Sequence, residues 1–211
     1  RSEQPRNEEH RARRRQLIET AEKLFMKNGY ENTTIKEIID AVGVAKGTFY
    51  HYFSSKEDLL NELIIVQSRA AIDQILPLFD RKDIGAAEKF SLFHRQIGVW
   101  KLGNKEMIYA AARTLYRDEN MIYRKKLNSA TLDLLAEPYT DLIEEGISEG
   151  IFSTPYPRDT AELILTTFMS WGEVLVDIMF KAFEDNAAKE EFKKKLYTLQ
   201  RSVERILGAE E

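Results

Sequence analysis

The chain has 211 residues, 43% of them apolar, with 31 Lys and Arg against 35 Asp and Glu and no cysteine. That length suits one domain or two small ones with a sizeable buried core, and the mixed charge excludes wholesale disorder. Lack of cysteine removes any disulfide framework, thiolate nucleophile or Cys-ligated zinc, and favours a reducing, cytoplasmic setting. The longest charge-free stretch within a helix-like run is Leu163–Gly172, about half the ~20 residues that a membrane span needs. No apolar opening segment resembles a signal peptide, so no membrane partner is expected. Because the chain opens on Arg1 and not Met, its first residues are expected to be an expression remnant outside the fold.

Charge is unevenly distributed. Residues 1–56 carry a net +3, whereas the whole chain sums to −4, leaving −7 for the remainder. A basic front end on an acidic protein fits a front end that meets a polyanion, and fits equally a solubilising basic tail.

Taken in chain order, the apolar spacing predicts helices nearly throughout. Leu17, Ile18, Ala21, Leu24 and Phe25 form the face of a first helix that Gly29 stops, preceded by an arm with Arg11, Arg13, Arg14 and Arg15. Thr34 to Glu37 reads as a capping box that opens a short second helix with Ile35, Ile38, Ile39 and Val42 on its apolar face. Gly43-Val44 turns the chain into a third segment, Ala45–Phe53, and Ser55 caps a fourth helix running to about Pro77. Further helices are expected over 86–103, 104–117, 118–149 with a bend at Pro138, 159–184 and 187–207, with a loop over 152–157. The expected fold is all-α, with about nine helices in two domains: residues 1–60 as a helix-turn-helix domain with a connector helix from about 55, and 61–211 as a larger helical domain.

Two short helices around a glycine turn form a helix-turn-helix, whose second helix can enter the major groove of DNA. At about 100° per residue, Phe49 and Phe53 share one side of that helix, and Gly47, Thr48, His51 and Tyr52 the other. Lys46 suits guanine, Gly47 allows close backbone approach, and Thr48 offers a methyl and a hydroxyl. Tyr50, His51 and Tyr52 suit phosphate contacts. Lys56 and Thr34, at the starts of their helices, suit phosphate, and Lys36 can reach a phosphate or a base. The arginines of the arm suit the DNA backbone or minor groove. The same aromatics at helical spacing also suit an ordinary core.

The run Thr33-Thr34-Ile35-Lys36-Glu37-Ile38, followed by Gly43 through Leu60 with its Lys46-Gly47-Thr48-Phe49-Tyr50-His51-Tyr52-Phe53 segment, resembles the tetracycline-repressor (TetR) family of bacterial transcriptional regulators. The resemblance covers about the first 60 residues. It implies a homodimer that binds a palindromic operator on double-stranded DNA and releases it when a small-molecule effector enters the larger domain. The fourth helix would act as the lever, and no cofactor is implied. By carry-over, Lys46, Gly47, Thr48 and Lys36 match base-reading positions, and Thr34, Tyr50, His51, Tyr52 and Lys56 match phosphate contacts. Ala45 departs from the family's common Ser and cannot cap the helix, at a cost of about 1 kcal/mol.

For the remainder, Trp100, Met107, Tyr109, Tyr116, Phe168 and Trp171 are effector-site candidates, with Arg113 placed to pair with an anionic effector; all are equally suited to core or surface. In the resemblance the last two helices form the dimer interface. Their stripes are Ile164, Phe168, Trp171, Leu175 and Ile178, then Leu196, Leu199, Val203 and Ile206. His10, His51 and His94 lack metal-ligand spacing, and no phosphate loop or nucleophile elbow is present. Adjacent carboxylates such as Glu144 and Glu145 are expected to be solvated. An enzyme and a helical protein-binding adaptor remain the alternatives.

Overall fold

The computed structural model describes residues 3–103, 114–182 and 185–209, with side chains from residue 8 onward except at 71, 96–103, 173, 176, 177 and 180. Among the described residues the fold is all-α, with eight helices and no strand. They are α1 (Glu3–Asn28), α2 (Ile35–Val42), α3 (Lys46–Tyr52), α4 (Lys56–Ile72), α5 (Ala86–Gly103), α6 (Met121–Ser148), α7 (Pro157–Lys181) and α8 (Asn186–Ile206). Short 3₁₀ turns cover Leu76–Leu78 and Asp118–Asn120. Most of the helix expected over 104–117 lies outside the described residues. α4 ends at Ile72, ahead of Pro77, which begins no α-helix but sits in the first 3₁₀ turn. α6 runs through Pro138 without a break in helical assignment, and α7 starts on Pro157, where the ring's missing N–H has no intrahelical partner to lose.

The first helix differs most from expectation. It begins at Glu3, so Arg11, Arg13, Arg14 and Arg15 lie on a helix and not on a flexible arm, and the chain is helical from Glu3 onward. Pro5 sits in the first turn, where it is tolerated, and Glu, Arg and Ala then favour helix despite the lack of an apolar stripe.

The chain divides into two compact units, residues 1–69 with 110–130, and residues 70–109 with 131–211. In unit 1, Leu17, Ala21 and Phe25 of α1, Ile38 of α2, Phe49 and Phe53 beside α3, and Leu59, Leu60 and Leu63 of α4 close a single core. Tyr123 of α6 completes it, at 2% exposure. Segment 114–130 is therefore an integral part of the unit that holds the helix-turn-helix. Its anchor is Asn120, fully buried: Oδ1 accepts from the Tyr30 N–H (2.8 Å), and Nδ2 donates to the carbonyls of Thr114 (3.0 Å) and Phe25 (3.4 Å). Gly29 is required here twice over, by its φ of +89° and because an added Cβ would sit 2.6 Å from Glu119 Cβ.

Unit 2 is built on Phe93 of α5, Leu135, Tyr139, Leu142 and Ile143 of α6, Ile164 and Leu165 of α7, and Leu199 and Val203 of α8. Glu144 is exposed as expected, but Glu145 is not simply solvated. Both its oxygens accept from the ammonium of fully buried Lys89 (2.7 and 2.6 Å), and one turn later Glu149 accepts from the Ala86 N–H (3.0 Å) at the start of α5. A charge as buried as Lys89 demands such a partner, and the pairing joins α5 to α6.

Replacing Asn120 by Ala strands the buried N–H of Tyr30 and takes one of two donors from the Phe25 and Thr114 carbonyls, which keep the N–H groups of Gly29 and Arg117. The expected loss of stability is about 2 kcal/mol, read as a lowered denaturant midpoint with an unchanged m-value.

Candidate nucleic-acid interface

The reading head is built from local chemistry. Thr34 and Glu37 form the expected capping box: the Glu37 N–H donates to Thr34 Oγ1 (3.2 Å), and the Thr34 N–H and hydroxyl donate to Glu37 Oε2 (2.7 and 2.8 Å). Gly43 ends α2 in the left-handed region (φ 74°), and the N–H groups of Gly43 and Val44 both donate to the Ile39 carbonyl (2.9 and 3.0 Å). α3 then has seven residues, and its N-cap, Ala45, makes no side-chain bond. Such a helix is not stable by itself. Phe49 and Phe53, at 0% and 2% exposure with ring centroids 5.9 Å apart, hold it to the core.

That anchoring turns the other side outward. Lys46, Gly47, Tyr50 and His51 are exposed, and Thr48 and Tyr52 are half-buried. The Lys46 ammonium lies over the Tyr50 ring (5.9 Å), and Tyr52 packs its ring 5.2 Å from that of His51. At Gly47 the φ is not positive and an added Cβ would meet nothing within 4 Å. The fold itself therefore does not require glycine at a helical position where it costs about 0.5–1 kcal/mol relative to alanine.

Three candidates are already engaged within the chain. Thr34 serves the capping box, and Lys36 pairs with Asp40 (2.5 Å). Lys56 turns its ammonium back on the α1–α2 loop, donating to the carbonyls of Tyr30 (2.8 Å), Thr33 (3.0 Å) and Glu31 (3.4 Å) above the Tyr30 ring (4.3 Å). Burial there lowers its pKa, against the pull of Glu31 and Glu37. A residue that the spacing did not single out stands beside α3: His10 of α1, with ring centroids 4.6 Å from Tyr52 and 5.4 Å from His51. The stretch of α1 ahead of Leu17 carries no apolar stripe to mark it, only the helix-forming composition. Arg14, also of α1, covers Phe53 (5.4 Å) and pairs with Glu62 of α4 (2.8 Å).

The effector candidates separate. Met107, Tyr109, Arg113 and the side chain of Trp100 lie outside the described residues. Tyr116 belongs to unit 1, with the Arg124 guanidinium over its ring (5.0 Å). Phe168 and Trp171 belong to unit 2, and Trp171 is half-buried beneath the Lys195 ammonium (5.8 Å). Phe168 stacks on a residue absent from the sequence-based set, His94, with ring centroids at 4.4 Å; Phe90 lies at 4.4 Å on the same imidazole and Phe93 at 5.0 Å. His94 Nδ1 bonds the Phe90 carbonyl (2.8 Å), and Nε2 faces the buried Tyr139 hydroxyl at 3.4 Å. Burial lowers the His94 pKa to about 4, only partly opposed by the Phe90 carbonyl, and raises that of Tyr139. Both are neutral at pH 7.

The dimer candidates also need correction. Ile164, Leu199 and Val203 are buried within a single protomer, so they pack its own core and are not a surface offered to a partner; Phe168, Trp171, Leu175 and Ile206 are half-buried. Among the described side chains, the exposed large apolar groups on the last two helices are Leu163 and Val174 of α7, with Leu196 and Tyr197 of α8; of these Leu196 belonged to the expected set. Among the described residues no helix is long and apolar enough to cross a membrane, and no group of three His, Asp or Glu could hold a metal.

Comparison with known proteins accords with this arrangement. Residues 17–63 match the family described as "Bacterial regulatory proteins, tetR family", and residues 102–196 match "Tetracyclin repressor-like, C-terminal domain". The HTH-type transcriptional repressor KstR2 of Rhodococcus jostii is 23% identical over 196 residues, covering 81% of this chain and 87% of the relative. The Fatty acid metabolism regulator protein of Bacillus subtilis is 28% identical over 138 residues, covering 65% and 68%. The solved structure of the Flavonoid-responsive Regulator FrrA superposes with a TM-score of 0.63 at 21% identity, covering 90% of this chain and 96% of that one. A TetR-family regulator from Pectobacterium atrosepticum gives 0.62 at 18%, covering 94% and 96%. At these identities the solved structures speak for the fold alone.

Because His94 is neutral and buried when folded but titrates near 6.5 when unfolded, acid stabilises the unfolded chain first. Stability should fall as pH drops from about 6.5 to about 4, by about 3 kcal/mol in all from this group. His94→Phe should flatten that part of the profile, measured by denaturant titration at each pH.

Proposed function

The chain belongs to the tetR family of bacterial regulatory proteins and is a DNA-binding transcriptional regulator, and from that premise we propose that it is a homodimeric repressor released from a palindromic operator by a small molecule. Lys46, Gly47 and Thr48 read base edges, while Tyr50, His51 and Tyr52 position the helix on phosphates. Thr34 and Lys36 join the interface by exchanging their Glu37 and Asp40 partners for DNA. Lys56 acts by holding the α1–α2 loop that leads into α2, and its ammonium reaches a phosphate only by giving up a carbonyl.

The observation that carries this reading is Gly47. A glycine that the fold neither strains nor crowds, on the exposed side of a short helix, is accounted for by a partner that must approach the backbone closely, as base edges do in the major groove. Selection of bound duplexes from a random-sequence pool is the direct test. The expected product is an inverted repeat with half-site centres about one helical turn apart; a pool with no enriched sequence overturns the proposal. On the selected operator, Gly47→Ala should raise fold stability by about 0.5–1 kcal/mol while weakening operator binding, a combination that a packing role for Gly47 does not produce. Lys46→Ala should weaken operator binding more than binding to random duplex.

The dimer is proposed to form through the outward faces of α7 and α8, with Leu163, Val174, Leu196 and Tyr197 meeting their two-fold mates. Leu163→Glu combined with Val174→Glu should give a folded monomer by light scattering; a dimer of unchanged stability would reject this face. The effector is proposed to bind in unit 2 at the aromatic group around His94, Phe90, Phe168 and Tyr139, where a neutral imidazole and phenol supply the few polar contacts of an apolar site. Among the similar proteins, one is named for fatty acid metabolism and another for its response to flavonoids. Both names point to largely apolar carbon skeletons, the class we propose here.

A further inference from the structure

α1 begins four turns before Leu17, the first buried residue among those whose side chains are described. Residues 8–12 are exposed, and no apolar face holds this extension to the core. It is positioned by polar and aromatic contacts instead: Arg14 on Phe53 and Glu62, and His10 on Tyr52 and His51. Between the extension and α3 lies an open cleft of about 490 Å³, lined by Glu9, His10 and Arg13 on one wall and Ala45, Thr48 and Tyr52 on the other. Arg13 is half-buried in this wall, and its guanidinium donates to Gln16 (2.8 Å), a neutral partner that leaves its charge uncompensated at that bond.

We infer that this cleft grips one strand of the DNA backbone, with Arg13 as an additional phosphate contact and His10, packed against Tyr52, beside it on the same wall. The inference rests on the DNA-binding reading above and extends it to an element outside the helix-turn-helix. Its chemistry follows from the lining. A guanidinium is the side chain best matched to phosphate geometry, and the Tyr52 hydroxyl is a neutral donor for the same oxygens. Glu9 on the same wall opposes an anion. It therefore weakens the grip, which gives the proposal a sign that packing does not share. A backbone contact of this kind adds affinity on any sequence and does not discriminate between operators. The extension thus strengthens binding while the choice of site stays with Lys46, Gly47 and Thr48.

The test uses the full chain, a selected operator and a random-sequence duplex, with affinity measured across a range of salt. Arg13→Ala should weaken both duplexes alike, by roughly tenfold, and make the slope of log K against log salt shallower by about one unit per protomer. Arg13→Lys should restore the slope. Glu9→Gln should tighten both duplexes and steepen the slope, an outcome that loss of helix cannot imitate. Unchanged affinity and slope in Arg13→Ala and Glu9→Gln, with Lys46→Ala still impaired, would overturn the cleft and leave the operator reading standing. A wild-type chain that binds neither duplex would instead sink the operator reading itself.

Discussion

The burial of Phe49 and Phe53 sets the rotation of α3, and what the molecule presents to DNA depends on that rotation. A seven-residue helix with a glycine in its first turn and no capping side chain has little stability of its own. Two phenyl rings in the core of unit 1 provide it, and because they lie one turn apart they leave a single orientation available. Lys46, Gly47, Tyr50 and His51 face outward as a consequence. Their exposure is imposed by the anchors on the other side, so weakening an anchor would blur the reading surface before it removed any contact with DNA.

Around this helix, unit 1 is braced by polar contacts at a single loop. Residues 29–34 are held from one side by the Lys56 ammonium and from the other by Asn120 and by the Glu119 carbonyl, which accepts from the Glu31 N–H (3.2 Å). Thr33, fully buried, closes the loop on itself through the Gly29 carbonyl (2.8 Å). The loop ends at Thr34, the cap of α2. The position of α2, and through the Gly43 turn that of α3, is thereby tied to residues from the start of α4 and from the 3₁₀ turn ahead of α6. Hydrogen bonds in a buried setting have narrow geometric tolerance, which suits a head that must present its contacts in a fixed arrangement.

Local chemistry was legible in the sequence and long-range chemistry was not. The Thr34–Glu37 box, the left-handed Gly43 and the buried pair Phe49 and Phe53 are each decided by neighbours within a few residues, so their spacing sufficed. The start of α1 was not legible, because apolar periodicity is the main helix signal and residues 3–16 have none. Asn120 is joined to Tyr30 across 90 positions, and nothing in the local pattern announces that a polar side chain will be buried. On α7, periodicity picked out Ile164, whereas Leu163 stands exposed beside it: an amphipathic pattern finds the side that packs at home, and that side masks the one left for a partner. Glu145 beside Glu144 reads as one solvated pair, yet only the helix geometry determines which of the two meets Lys89.

The place of segment 114–130 within the first compact unit also bears on how this protein can be divided. A fragment cut after residue 69 would carry the whole helix-turn-helix, but it would expose the slot that Tyr123 fills and leave the Tyr30 amide without its acceptor. An autonomous reading module would have to be spliced, the first stretch joined by a designed bridge to the second. Chimaeras that graft this head onto a foreign regulatory body need their junctions outside residue 130, not at the end of the recognisable motif.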